Sequence, residues 1–256
     1  MAKQSILSHM IRIHWKAVVV VAPLVLGAAC TGARPCDQLP INSDSAPYIQ
    51  RLLTEAKQGD TCSQNELALK FKRGQDVPKD CEQAMLWFKK AAKRGNPTAQ
   101  TNLAIEYQEG GCIAKDPVKA VYWSRKAASQ GHAQAEINLG MAYAKGSGVR
   151  QDFTEAARWY SKASEHGDLD GRYNLTHLLF SGTGIGADPE RAVKLFASAA
   201  ESGHAASQTG LGQAYYQGLG VPQDFNKAEF WLKKAASQGE SYGLVTLASM
   251  YMMGAG

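Results

Sequence analysis

The chain has 256 residues, 45% of them hydrophobic and 20% charged, a balance that excludes wholesale disorder and permits a sizeable core. Its formal charge of +5 overstates the basicity, because Lys3, Arg12 and Lys16 lie in a leader-like start. Without residues 1–29 the chain carries 25 basic against 23 acidic residues, which gives no argument for a nucleic-acid partner.

Residues 1–29 read as a secretory signal peptide. A basic start precedes the apolar run from Ala17 to Leu26, and Gly27-Ala28-Ala29 supplies small residues before Cys30. The run is too short to stay in a bilayer as a permanent span. The small residues before Cys30 resemble a bacterial lipoprotein box, with Gly27 where leucine is usual. Two outcomes stay open: lipidation of Cys30, which with Thr31 next would suit an outer-membrane lipoprotein, or ordinary cleavage after Ala29. Both imply an exported, periplasmic or outer-membrane protein whose membrane contact is the signal or a lipid anchor. Residues 30–45 are rich in turn formers and read as a tether. Residues 46–59 predict one helix stopped at Gly59, which would cap the array that begins at residue 60.

From residue 60 the chain repeats with a period of 36, marked by Leu67, Leu103, Leu139, Leu175, Leu211 and Leu247. Five full units, 60–95, 96–131, 132–167, 168–203 and 204–239, precede a partial sixth. Each unit predicts two helices. In the first, the leucine and a residue four later, mostly aromatic (Phe71, Tyr107, Tyr143, Leu179, Tyr215, Tyr251), share a face. A small residue next to the leucine, such as Gly140 or Gly212, allows close approach of the second helix. Glycines at 74, 110, 146, 182 and 218 stop the first helix. Asp80, Asp116, Asp152, Asp188 and Asp224 stand where the second helix needs a cap. The second helix carries an alanine, then Trp87, Trp123, Trp159, Leu195 or Trp231 three residues on, then a further alanine, as one buried stripe. Basic pairs in its last turns, Lys89-Lys90, Arg125-Lys126 and Lys233-Lys234, read as a solvated face complementing the helix dipole.

After Cys30, four cysteines remain. In an oxidising compartment they allow three pairings. Cys81–Cys112 is favoured because both fall near loops of adjacent repeats, and Cys36–Cys62 follows by elimination; free buried thiols are the alternative. No CxxC pair or histidine–acid cluster suggests a metal, and no cofactor is expected.

These columns resemble the Sel1-like repeat, a relative of the tetratricopeptide repeat, most completely at Ala135–Gly167 and Ser207–Gly239. The resemblance implies an all-α, right-handed solenoid of stacked helix pairs over residues 60–256, acting as a scaffold for a protein or peptide in the bacterial envelope. Some cysteine-rich secreted members are associated with β-lactam binding or hydrolysis, the alternative function. The chain has no Ser-x-x-Lys or Lys-Thr-Gly element, so it does not read as an enzyme. Gly182–Ala187 mimics a dinucleotide fingerprint but follows a helix instead of a strand.

In such stacks the first helices line the concave face. Taking the positions two before, two after and five after the leucine as that face gives Ile137, Met141, Tyr173, His177, Phe180, Tyr216 and Val245 as partner-binding residues, an apolar and aromatic strip suited to a peptide or helix. The sequence stops in a repeat loop, so Tyr251, Met252 and Met253 are expected to need cover from further repeats or from a partner.

Overall fold

A computed structural model of the protein describes residues 45–254. The signal segment, Cys30, Cys36 and most of the tether lie outside them. The described chain is helical throughout: α1 Ser45–Gln58, α2 Thr61–Arg73, α3 Cys81–Lys93, α4 Pro97–Glu109, α5 Pro117–Ala128, α6 Ala133–Lys145, α7 Phe153–Glu165, α8 Leu169–Ser181, α9 Pro189–Glu201, α10 Ala205–Gln217, α11 Phe225–Ser237 and α12 Ser241–Met252. Helices α2 and α3 form the first repeat, and the pairs run on to α10 and α11, with α12 opening the sixth. Among the described residues no helix is long and apolar enough to cross a membrane.

Local chemistry sets each hairpin. Every first helix of the five full repeats ends on a glycine in the left-handed conformation, Gly74, Gly110, Gly146, Gly182 and Gly218. Each capping aspartate then accepts a backbone N–H from the second helix, as Asp80 does from Gln83 and Asp224 from Lys227. Its own N–H donates to the carbonyl of the residue four after the leucine: Asp80 to Phe71, Asp116 to Tyr107, Asp152 to Tyr143, Asp188 to Leu179 and Asp224 to Tyr215. One residue type thus closes the loop and starts the next helix. The marker leucines of the five full repeats are buried, and Leu67, Leu103 and Leu139 are wholly so. A Cβ added at Gly140 would strike the Tyr160 ring, and one at Gly212 the Leu232 side chain, so the small residue does admit the second helix. The tryptophans depart from the expected buried stripe. Trp87 is buried, whereas Trp123, Trp159 and Trp231 are half-buried. A lysine lies over each of the four rings: Lys90 at 4.2 Å, Lys126 at 5.4 Å, Lys162 at 4.5 Å and Lys234 at 5.0 Å.

Successive repeats are locked by polar side chains as well as by packing. Gln64, Gln100 and Gln208, three residues before their leucines, donate to the carbonyls of Ala56, Ala92 and Ala200 in the preceding second helix. These carbonyls lie at a helix C-terminus, where each also accepts the N–H of the glycine three residues on, Gly59, Gly95 and Gly203, and has no helical partner four residues on. Gln130 and Gln238 donate in turn to the side-chain Oε1 of Gln100 and Gln208. In the third repeat the same place holds buried Glu136, paired with His166 Nδ1 at 2.8 Å.

The junctions between repeats come in two kinds. Gly148, Gly184 and Gly220 take positive φ, and a Cβ on them would collide with the start of the previous second helix, at Pro117, Phe153 and Pro189. Between the first two repeats the equivalent residues are Cys112 and Cys81, and they form a disulfide. Cys62 is also disulfide-bonded; Cys36, its expected mate, lies outside the described residues. The first repeat has Asp76 at the glycine position. Its φ is 63°, a conformation aspartate tolerates, and its carboxylate accepts from Lys70 Nζ at 2.8 Å.

Candidate functional site

First helices of neighbouring repeats touch one another, as α6 does α8 and α10 does α12, whereas among the described residues second helices do so nowhere to that extent. The stack is therefore tighter along its first helices, which form the inner side. Side chains bridge them: Asn102 Nδ2 donates to Asn65 Oδ1 at 2.9 Å, and Gln213 Nε2 to Thr246 Oγ1 at 3.2 Å. Lys72 pairs with buried Glu106, which also accepts the Cys112 N–H.

The positions most open on these helices are six after the leucine, exposed in every full repeat, two after it, half-buried or exposed, and one before it, half-buried at Glu66, Asn138 and Asn174 but buried at Asn102 and Gly210. At about 100° per residue, this face is rotated by roughly 60° from the one expected. Ile137 is the clear correction. It is 3% exposed and belongs to the core between α6, α7 and α8, so it cannot meet a ligand. Its column points at the next repeat. Thr101 Oγ1 lies 3.0 Å from His132 Nδ1, and Thr209 donates to Glu240 at 2.7 Å. Tyr173, in the same column, packs edge-on against His177 and His204 and lies 5.8 Å from the Phe196 ring. Burial, with Glu240 adding, pushes its hydroxyl pKa up to about 12, so the phenol stays protonated.

The other expected residues divide. His177 is exposed on the inner face, and Met141 is half-buried there. Phe180 and Tyr216 are half-buried, Phe180 tilted over Phe196 and Tyr216 beside Phe225. Val245 is 59% exposed on α12. Asn138, Asn174 and Gln217, from outside the expected columns, complete the surface with Gln213, which lies two after Leu211. Asn138 accepts from Gln134 at 3.3 Å, while Asn174 is half-buried one turn before His177. Their signal was present in the sequence as a recurring asparagine just before the leucine, at 102, 138 and 174.

The resulting strip alternates amides with Met141 and the His177–Tyr173 ring pair. Amides both donate and accept, as a peptide backbone does, and the sulfur and rings take apolar side chains. Among the described residues no group of three or more histidine, cysteine or acidic side chains converges to hold a metal. Burial lowers the His132 pKa and leaves its Nε2 without a partner, which makes it a packing residue of the repeat junction.

Known proteins share both the sequence repeat and the fold. The Sel1 repeat family matches residues 63–96, 97–132, 133–168, 170–204 and 205–240. No curated protein matches the chain. Among solved structures, a Sel1 repeat protein from Oxalobacter formigenes is 33% identical, with a TM-score of 0.74 over 83% of this chain and 90% of that one. A protective antigen of uropathogenic Escherichia coli strains, described as having an SLR fold, is 28% identical with a TM-score of 0.57; the match covers 80% of this chain and 52% of that one, about half its length. An immunity protein from Pseudomonas aeruginosa shares the fold at 15% identity and a TM-score of 0.54, over 86% and 90% of the two chains.

Proposed function

The chain belongs to the Sel1 repeat family of protein–protein interaction scaffolds, and from that premise we propose that it is an exported envelope protein holding a peptide or protein segment along its inner face. The observation that carries the reading is the contrast between columns. Packing and capping positions repeat almost unchanged, while the inner-face positions differ in every unit: Leu69, Ile105, Met141, His177 and Gln213 two residues after the leucine. A surface freed from scaffold duty is where specificity can vary. Export rests on the signal-like residues 1–29, and anchoring on Cys30.

Site-specific photo-crosslinking tests it in cells of the source organism. A photoreactive residue replacing Asn138, His177 or Gln213 is expected to give one discrete adduct. The same residue at Thr154 or Lys194, on the outer side, is expected to give none. Adducts confined to the outer positions contradict the reading. Cleavage of the leader, followed by release or membrane retention of the Cys30→Ser protein, tests export and anchoring separately.

A further inference from the structure

The outer face differs along the array. On α3 and α5, Leu86 is 44% exposed, Val118 66% and Tyr122 50%. Leu86 and Tyr122 occupy equivalent positions 36 residues apart, so they stand side by side on neighbouring second helices, with Val118 one turn before Tyr122. Around them lie Lys89, Lys90, Lys93, Arg125 and Lys126, none of which forms an ion pair among the described residues. Glu82 is the exposed acid of this face, and Asp116 is already engaged by Lys119 at 2.7 Å. The same columns of α7 and α9 hold Thr154, Arg158, Glu190 and Lys194, without an apolar residue. On α11, Phe225 and Phe230 are exposed and Lys234 lies over the Phe230 ring at 4.6 Å without an acidic partner among the described residues, but Lys227 and Lys233 are paired with Asp224 and Glu229. An apolar cluster ringed by several cations without an acidic partner is thus most developed on the first two repeats, where five such cations surround it against one on α11.

We infer that the outer face of the first two repeats docks on an anionic lipid surface. The apolar side chains project from the outer side of the array and are ringed by long cations, which is the pattern of an interfacial contact and not of a groove. The adjoining hollow, about 430 Å³, is open and continues the patch, with Met85, Leu86, Cys112 and Ile113 in its wall beside Glu82 and Lys89. The lysines and arginine supply attraction to anionic headgroups, and Leu86, Val118 and Tyr122 supply the apolar insertion. The Cys81–Cys112 disulfide lies at the edge of this patch and ties together the two repeats that carry it. The inner face would remain open to its own partner.

The test uses the chain from Thr31 onward, which keeps every described residue and removes the apolar leader. Its co-sedimentation with sucrose-loaded vesicles of phosphatidylglycerol and phosphatidylcholine is compared with that of pure phosphatidylcholine vesicles. The wild type is expected to prefer the anionic vesicles and to be released by salt. The variant L86S/V118S/Y122S is expected to bind about tenfold or more weakly at an unchanged melting temperature. R158S/K194S, altered in the same column of the third and fourth repeats, is expected to bind as wild type. If the triple variant proves unstable, K93E/K126E decides, and must weaken binding and flatten its salt dependence. Equal binding by wild type and variants, equal binding to neutral vesicles, or no vesicle binding overturns the inference. Binding to polyglutamate but not to vesicles overturns it too, and assigns the face to an acidic protein.

Discussion

The junction between the first and second repeats and the junction between the second and third solve one problem in two ways. At the first, Cys112 in the loop is covalently joined to Cys81 at the head of the earlier second helix. At the second, the same two places hold Gly148 and Pro117, and the loop backbone lies directly on the helix start. A close approach that only glycine permits has been exchanged for a bond. Loop position 112/148 is therefore a structural contact at both junctions, whichever chemistry makes it. The covalent version also sits where the outer face carries its exposed apolar residues.

Removing the covalent junction should destabilise the array most. Closing a loop between residues 31 apart in sequence is worth about 3–4 kcal/mol on the chain-entropy account. Cys81→Ser with Cys112→Ser is expected to lower stability by about that amount in urea melts. Reductant should destabilise the wild type to a similar degree and leave the double variant with a smaller response, due to Cys62. A double variant as stable as wild type would show that the bond only decorates a junction already held by packing.

Next in size is the glycine junction. Gly148→Ala forces a Cβ at φ 74° onto the Pro117 carbonyl, and a loss of about 1–3 kcal/mol is expected, insensitive to reductant. Gly167→Ala is the control, since its added Cβ meets nothing and only the positive φ is strained. If the two variants lose equal stability, the close approach contributes nothing beyond backbone strain.

A smaller effect separates two polar versions of the junction. His132 starts α6 without a side-chain cap, whereas Asn96 caps α4 by accepting the Ala99 N–H at 2.8 Å. Burial lowers the His132 pKa below its ordinary 6.5, so the unfolded chain takes up a proton more readily than the folded one. Its contribution is therefore complete above about pH 6.5 and is lost as the pH falls from there towards the folded-state pKa. Thermal melts of His132→Asn should show a shallower decline between neutral and mildly acidic pH than wild type. An identical decline would show that His132 does not carry the pH dependence.

Much of this architecture was legible in the sequence, because repetition separates what the fold needs from what it tolerates. The leucine period, the glycine stops, the aspartate caps and the Cys81–Cys112 pairing all follow from residues in register. The inner face was only half legible. The column of Asn65, Thr101, Ile137, Tyr173 and Thr209 varies like a specificity surface, yet it varies because its members fit different neighbours in the next repeat. Thr101 meets His132, and Thr209 meets Glu240, whereas Ile137 fills a core. Variation matched to a neighbouring repeat and variation matched to a ligand look alike in one chain. Periodicity could not tell the rotation of the helix either, since the positions two before and one before the leucine each mix polar with apolar or small residues from repeat to repeat. The outer apolar patch was hidden for the opposite reason: Leu86 and Tyr122 break no repeat rule, and only their exposure marks them.

The central proposal is that a partner binds along the inner face. Once a partner has been isolated by crosslinking at His177, its affinity for wild type, for Asn138→Ala/Met141→Ala/His177→Ala and for Thr154→Ala/Lys194→Ala should be measured by calorimetry. The inner-face variant is predicted to bind at least about tenfold more weakly with its melting temperature preserved, and the outer-face variant to bind as wild type. Equal affinity of all three proteins, or a loss confined to the outer-face variant, would contradict it.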